Sequence, residues 1–403
     1  MNKILFSAYC TCTTHKALCE GVVEMMTQSG HTVCVLSNTP LNTNAQSLHI
    51  EQKCMTEYDV AISFGRRGYS NMCKYMGYRN IPHIYMLAQS DWMSEYIDSQ
   101  KYDHILSIMD SVYRMAPIYL KNNVTKIGLP FILPNAPLSD YPGATSRILV
   151  NISDTDVLLN ILPVLNGLHH NMPITIVGNY RFKNLFNPNI EYIHASIDTN
   201  DLIKKSSIII GNGHTVLAGL LQCKPVVIVG CRGLGGLVTK ENIATQYCAG
   251  FHGRVGAEKG EFVPAVLLER EIKKGLQFID KRNEEQLAVV SFLAQAYQRN
   301  VVCLNQLLMS VIKQKKESWT LLWEKNPSFD YQRIGNNSYI VTNMDTNKML
   351  FSIRYEECQI IEYFTEPATP QDVFNKSKYG NIEAFREFID QLIFHRILYY
   401  HEA

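Results

Sequence analysis

The stretch from Ile208 to Val229, IIIGNGHTVLAGLLQCKPVVIV, holds the residues best suited to gripping charge. A buried strand runs into Gly211, a Gly-Asn-Gly turn through Gly213 lets backbone approach a ligand closely, and His214 and Thr215 open a helix. The unpaired N–H groups of such a helix start form an anion site. A diphosphate matches it best, with the Thr215 hydroxyl as a further donor. The plainer reading is a βα turn that uses glycine only for its geometry. A second glycine-rich stretch, GCRGLGGLVT, follows the very next strand and carries Gly233, Gly235 and Gly236. Arg232 within it is a charged donor for a phosphate, or else a solvent-facing arginine. Two successive strands ending in glycine loops favour the phosphate reading, because ligands of open α/β sheets lie at the carboxyl edge.

The elements around these loops alternate in type. Lys3 to Tyr9, Asp59 to Phe64, Pro82 to Leu87 and His104 to Ile108 read as buried strands, with an amphipathic helix from about Ala17 to Ser29 capped by Gly30. Leu133 to Thr145 holds three prolines and no period, which marks a linker. The pattern then restarts with Arg147 to Ile152, Ile174 to Val177, Ile190 to His194, Ser207 to Ile210 and Pro225 to Val229. Alternation of this kind predicts two parallel, doubly wound sheets in tandem, an α/β class. From Glu284 to Lys313 a long helix is expected, with Leu287, Val290, Ala294, Tyr297, Val301, Leu304, Leu308 and Val311 as its inner stripe or as a coiled-coil seam. Three short strands and three helices after Tyr331 suggest a small α+β, winged-helix-like module. The expected divisions are 1–143, 144–320 and 325–403.

Composition narrows the function classes. A net charge of +1 gives no field for nucleic acid, and Lys313, Lys315 and Lys316 read as a solvated helix end. Eleven cysteines, an odd number spread along the chain, suggest reduced thiols in a cytoplasmic setting. Cys10 and Cys12 form a CxC with no second pair at zinc spacing, so no metal site is expected. No secretory signal or membrane span is expected either. Asp154-Thr155-Asp156 has DxD spacing but reads as a helix N-cap.

The strand, Gly-x-Gly-His-Thr, helix and Lys-Pro-Val-Val series resembles the nucleotide-sugar half of GT-B glycosyltransferases, such as the muramyl-pathway N-acetylglucosaminyltransferases. The resemblance covers about Met1 to Lys316. It implies two Rossmann-like halves facing a cleft, no cofactor, and a nucleotide-sugar, UDP-linked by preference, as substrate. Its diphosphate would lie on the loop matched by Gly213, His214 and Thr215. Family members often place a glutamate in the following helix for the ribose; here Val216 to Gly219 holds no acid, and Glu241 or Asn242 would substitute. In similar enzymes the first βα turn ends in a histidine beside the acceptor. His15 of YCTCTTHK takes that place, with a pKa range suited to a general base, or it merely caps or packs. Thr13 and Thr14 would cap the helix and line the acceptor pocket. Arg66, Asp91 and Asp110 are weaker acceptor-side candidates, against readings as an exposed arginine and two helix caps. Non-hydrolysing UDP-sugar epimerases share the architecture, and a binding protein without catalysis is the third possibility.

The C-terminal series SYIVTNMDTNKMLFSIRYEECQIIEYF, TPQDV and EAFREFIDQLIFHRIL resembles PqqD-like domains, which take a leader peptide along a sheet edge. The resemblance implies a peptide partner, with a plain winged-helix accessory domain as the alternative.

Overall fold

The computed structural model describes residues 1–11, 13–48, 57–76, 81–87, 103–108, 113, 124–133, 147–152, 154–168, 172–178, 185, 187–194, 199–277, 284–317, 323–346, 348–377, 379–394 and 397–400. In the first lobe, β1 (Lys3–Ala8), β2 (Thr32–Ser37), β3 (Gln46–Leu48), β4 (Val60–Phe64), β5 (His83–Leu87), β6 (His104–Ser107) and β7 (Val124–Lys126) form one sheet. Its order is β3-β2-β1-β4-β5-β6-β7, and every ladder is parallel. All five residues of β4 and of β5 are buried. Strands covered on both faces must be apolar throughout, which is why they stand out as unbroken runs. The first two helices are α1 (Thr13–Gln28) and α2 (Gly65–Met76).

The second lobe repeats the plan. It comprises β8 (Ile148–Asn151), α3 (Thr155–Leu168), β9 (Ile174–Gly178), β10 (Glu191–His194), α4 (Asn200–Lys205), β11 (Ile208–Gly211), α5 (Gly213–Leu221), β12 (Val226–Gly230), β13 (Gly233–Leu237), α6 (Ile243–Cys248) and α7 (Ala265–Gln277). The sheet order is β10-β9-β8-β11-β12-β13. Ile208, Ile209 and Ile210 of β11 are wholly buried, and each such side chain stabilises the lobe by roughly 1.5–3 kcal/mol. In both sheets the chain order reverses beside the first strand, at β1/β4 and at β8/β11, the switch points where ligands of such sheets collect. Two tandem Rossmann-like units are therefore present, and the expected α/β class holds.

Three expectations need correction. The stretch GCRGLGGLVT is not an open loop: Gly233–Leu237 turns back as β13, antiparallel to β12. The reason is close packing, since a Cβ on Gly235 would lie 2.8 Å from the Gly253 carbonyl oxygen and 2.9 Å from Ile228. Helix α1 starts at Thr13 rather than near Ala17, so His15 belongs to its first turn. Asn38 holds the strand exit short by accepting from the Cys10 N–H (2.7 Å) and donating to the Cys10 carbonyl (3.0 Å).

The third correction concerns the long helix, α8 (Glu284–Glu317). The expected stripe holds at Tyr297, Leu304, Leu308 and Val311, which are buried, but not near the start, where Leu287 is 62 % exposed and Val289, Leu293 and Ala296 face inward. Length and composition would let Glu284–Lys313 cross a membrane. Here its inner face belongs to one apolar core that takes in β1, α1 and α5, joining the two lobes. A polar bolt adds to this joint. The Tyr247 hydroxyl donates to the Leu129 carbonyl (2.9 Å) and accepts from Asn300 Nδ2 (2.9 Å), whose Oδ1 accepts from the Gly128 N–H (2.9 Å).

Asp154 caps α3, its Oδ1 accepting from the N–H groups of Asp156 (3.1 Å) and Val157 (3.3 Å), as the cap reading has it. The linker proposed at Leu133–Thr145 lies, after residue 133, outside the described residues.

The last unit has its own core around Phe364, Phe385 and Leu392. Strands β15 (Phe329–Arg333), β16 (Ser338–Asn343) and β17 (Lys348–Arg354) form an antiparallel sheet. Helices α9 (Tyr355–Glu362), α10 (Pro370–Ser377) and α11 (Ile382–Phe394) follow it. A ladder of β14 (Trp323–Lys325) with β18 (Leu398–Tyr400) ties the two ends of the unit together.

Candidate functional site

At the carboxyl edge of the second sheet, β11 passes through Gly211 into the turn that begins α5. A side chain on Gly211 would press on the Asn151 carbonyl at 2.8 Å, so the two central strands approach only because this residue has none. Gly213 has φ +53°, a left-handed conformation that favours glycine and starts the helix sharply. Its N–H is used by the Phe251 carbonyl (3.0 Å), and that of Thr215 by the Asn212 carbonyl (3.2 Å). Thr215 Oγ1 accepts from Asn151 Nδ2 at 2.9 Å, so the hydroxyl's own proton is the one it can give away.

His214 stands at the mouth of this helix. Its Nε2 is closed off from solvent and has no hydrogen-bond partner among the described residues. Burial pulls the imidazole down to about 4, and neighbouring His252 pushes the same way. Burial likewise lowers His252, with Arg232 adding its charge. Both rings are therefore neutral near pH 7, each offering one donor and one acceptor.

His252 reaches the site on the segment 249–253, where Gly250 (φ +72°), Phe251 (φ +58°) and Gly253 (φ +126°) fold back on themselves. The His252 carbonyl accepts from the Arg232 N–H and the Arg232 carbonyl from the Arg254 N–H, both at 3.0 Å. This segment therefore lies between the end of β11 and the end of β12. Among the described residues no carboxylate pairs with the Arg232 guanidinium, while its neighbour Arg254 pairs with Glu261.

The structure thus brings Gly211, Gly213, His214, Thr215, Arg232 and Gly233 to one edge. Gly235 and Gly236 do not join them, since β13 carries them back toward the start of β12, with Gly236 opposite Ile228. Glu241 lies further still. The Val238 N–H donates to the Val226 carbonyl (2.9 Å) at the amino end of β12, which sets the following turn at the edge opposite His214. There Glu241 is exposed beside Lys240, and the Thr239 hydroxyl foremost holds its carboxyl below the usual range. Asn242 closes the same turn, donating to the Leu237 carbonyl at 2.9 Å.

In the first lobe, His15 lies at the carboxyl edge of β1. Its Nδ1 is 2.9 Å from Thr11 Oγ1, and its ring meets Phe64, the last residue of β4, edge-on at 5.3 Å. Thr13 opens α1 and Thr14 follows half-buried. Buried Cys10 sits beneath them with its sulfur 3.8 Å from that of Cys19. That contact is the main cause lowering the Cys10 thiol to about 7 against the effect of burial, with help from Thr39, His15 and Ser37. Arg66 is exposed in the first turn of α2, and Arg67 lies over the Tyr9 ring at 4.9 Å. Asp91 and Asp110 fall outside the described residues. Among the described residues no three His, Cys, Asp or Glu converge as metal ligands.

Sequence reasoning missed Asn151, Phe251 and His252. Asn151 carries a signal, a polar residue ending an apolar strand at a switch point; the glycines flanking Phe251-His252 mark a tight turn but not its destination.

No protein-family model and no characterised protein matches the chain by sequence. Solved structures resemble it in plan. They include a glycosyltransferase from Rickettsia africae (15% identity, 78% of this chain and 98% of that one, TM-score 0.49). A UDP-N-acetylglucosamine 2-epimerase from Rickettsia bellii gives 12% identity, coverages of 79% and 98% and a TM-score of 0.48. Arabidopsis thaliana UGT89C1 complexed with UDP-L-rhamnose gives 10% identity, coverages of 77% and 99% and a TM-score of 0.45. Overlaps of this size assign no activity or ligand to the chain, which rest on its own residues.

Proposed function

We propose that the chain is a metal-independent glycosyltransferase that moves a sugar from a nucleoside-diphosphate donor, UDP-linked as the resemblance implies, to an acceptor hydroxyl. The observation that carries this reading is the start of α5: a left-handed Gly213, a donor-ready Thr215 and the unpartnered Nε2 of His214, all at the switch point of the second sheet. The helix dipole, the Thr215 hydroxyl and a neutral imidazole hold an anion there without bringing a competing negative charge. In the reaction the bond from the sugar's anomeric carbon to the diphosphate oxygen breaks and the electron pair leaves on the diphosphate. The acceptor oxygen forms the new bond, and its proton passes to His15. Arg232 and the α5 start stabilise the leaving group most as charge builds on it, which is the condition for catalysis rather than mere binding. Glu241, Gly235 and Gly236 have no part in this site.

Calorimetric titration with UDP, GDP, CDP and TDP tests the donor site, with UDP expected to bind. Incubation with a nucleotide-sugar panel then tests the reaction. Release of UDP that depends on an acceptor supports transfer. Epimerised sugar formed without an acceptor replaces it with the epimerase reading, and failure of all four nucleotides to bind overturns the site.

A further inference from the structure

The C-terminal unit carries a second surface that the transfer chemistry does not use. On α9, Tyr355, Gln359 and Glu362, with Tyr363 just past its end, follow helical spacing and share the outward face. Tyr331 on β15 and Tyr339 on β16 complete a groove floored by buried Cys358. The rings of Tyr331 and Tyr339 are 6.0 Å apart and nearly perpendicular; Tyr339 and Tyr355 are 6.2 Å apart. Tyr355 is 50% and Tyr363 43% exposed, so large apolar faces look into water.

The charges of the groove are already matched. Lys325 Nζ lies 2.9 Å from Glu362 Oε1 and 5.0 Å over the Tyr331 ring, and the Tyr331 hydroxyl donates to the same carboxylate. A cationic ligand would find the Tyr331 face covered by Lys325 and the Glu362 counter-charge engaged. An anionic one would meet a lysine that Glu362 holds. The lining contains no aliphatic side chain, which disfavours a lipid tail or the apolar face of a helix. A neutral, polyhydroxylated ligand suits it: the C–H faces of a sugar ring lie on phenol rings, while the Gln359 amide, the Glu362 carboxylate and the tyrosine hydroxyls bond its hydroxyls. Beyond Gln359 and Tyr363 a second hollow continues past Arg354, Tyr379 and Asn381, giving length for more than one sugar unit.

We infer that this tyrosine groove binds a neutral oligosaccharide, so that the C-terminal unit holds the glycan to be extended. The role as acceptor holder rests on the glycosyltransferase reading; the binding itself does not. The full chain is titrated with chitotriose, cellotriose and maltotriose and applied to a printed oligosaccharide array. The same is done with the double variant Tyr355→Ala/Tyr363→Ala, whose side chains are exposed enough to be removed without opening the core. Binding by the wild type, weakened at least tenfold in the double variant with unchanged UDP affinity and melting temperature, is expected. With the bound glycan as acceptor, KM rises and kcat stays. The inference is overturned if the wild type binds UDP but no oligosaccharide, if the double variant binds glycan as well as the wild type, or if the groove takes peptides from a library in preference to sugars. Glycan binding without any nucleotide binding would sink the glycosyltransferase reading and leave the groove standing.

Discussion

The carboxyl edges of the two sheets are built on one plan and made of different materials. The second sheet ends in glycines, brings main chain within reach of a ligand and sets two neutral imidazoles against it. The first passes from Tyr9, Cys10 and Thr11 into α1 with no glycine in the sequence up to Lys16, and offers hydroxyls, a thiol and one half-buried histidine. A helix start whose donors are a hydroxyl and imidazoles kept neutral is suited to gripping an anion without protonating it. A histidine bonded to Thr11 and resting on Phe64 has the opposite aptitude. The contrast teaches that a repeated fold divides labour through the residues at its strand ends.

The largest effect should come from the first edge. His15→Ala is expected to lower kcat by roughly 10²–10³ with UDP affinity unchanged, measured by steady-state kinetics and calorimetry. A drop in UDP affinity instead would erase the division between the edges.

Acid should act through the second edge. A histidine held at about 4 instead of 6.5 contributes about 3 kcal/mol above pH 6.5. The unfolded chain binds the proton first, so that stability is lost as pH falls from 6.5 to 4 and changes no further below. Denaturation at pH 7 and at pH 4.5 should show the loss, and His214→Gln should make it smaller, the remainder falling to buried His252. An equal slope in that variant would place the acid sensitivity elsewhere.

Gly213→Val should weaken UDP binding by about five- to thirtyfold, because a β-branched residue in a left-handed conformation costs on the order of 1–2 kcal/mol and moves the turn. Identical affinity in the variant would remove the turn from the donor site. The smallest change is expected for Thr215→Val. Losing one hydroxyl costs about 1 kcal/mol, a few-fold in Kd by calorimetry, and leaves Asn151 without its acceptor.

Much of this was legible because buried parallel strands announce themselves. Ile208–Ile210 and Val226–Val229 could be read directly, as could the helix start at Gly213, where glycine, asparagine and glycine sit between a strand and an apolar helix. The second glycine stretch misled for a physical reason: Gly233 and Gly236 adopt positive φ and Gly235 avoids a collision, so glycine served an edge strand rather than a loop. Phe251 and His252 escaped notice because their place depends on hydrogen bonds to Gly213 and Arg232, far off in sequence. The orientation of α8 was misjudged near its start, where Val289 and Leu293 rather than Leu287 meet the core, since several faces of that helix are apolar and only the partner selects one.

Tyr247 joins three separate stretches of chain through one phenol oxygen, and Gly128 is bare because the ring rests where a methyl would be. The Asn300 bond to the Gly128 N–H and the apolar core shared by the lobes hold the same corner. Any breathing of the two halves would therefore be least at this corner, and distances between probes should change least beside Leu129 and most at the rims furthest from it.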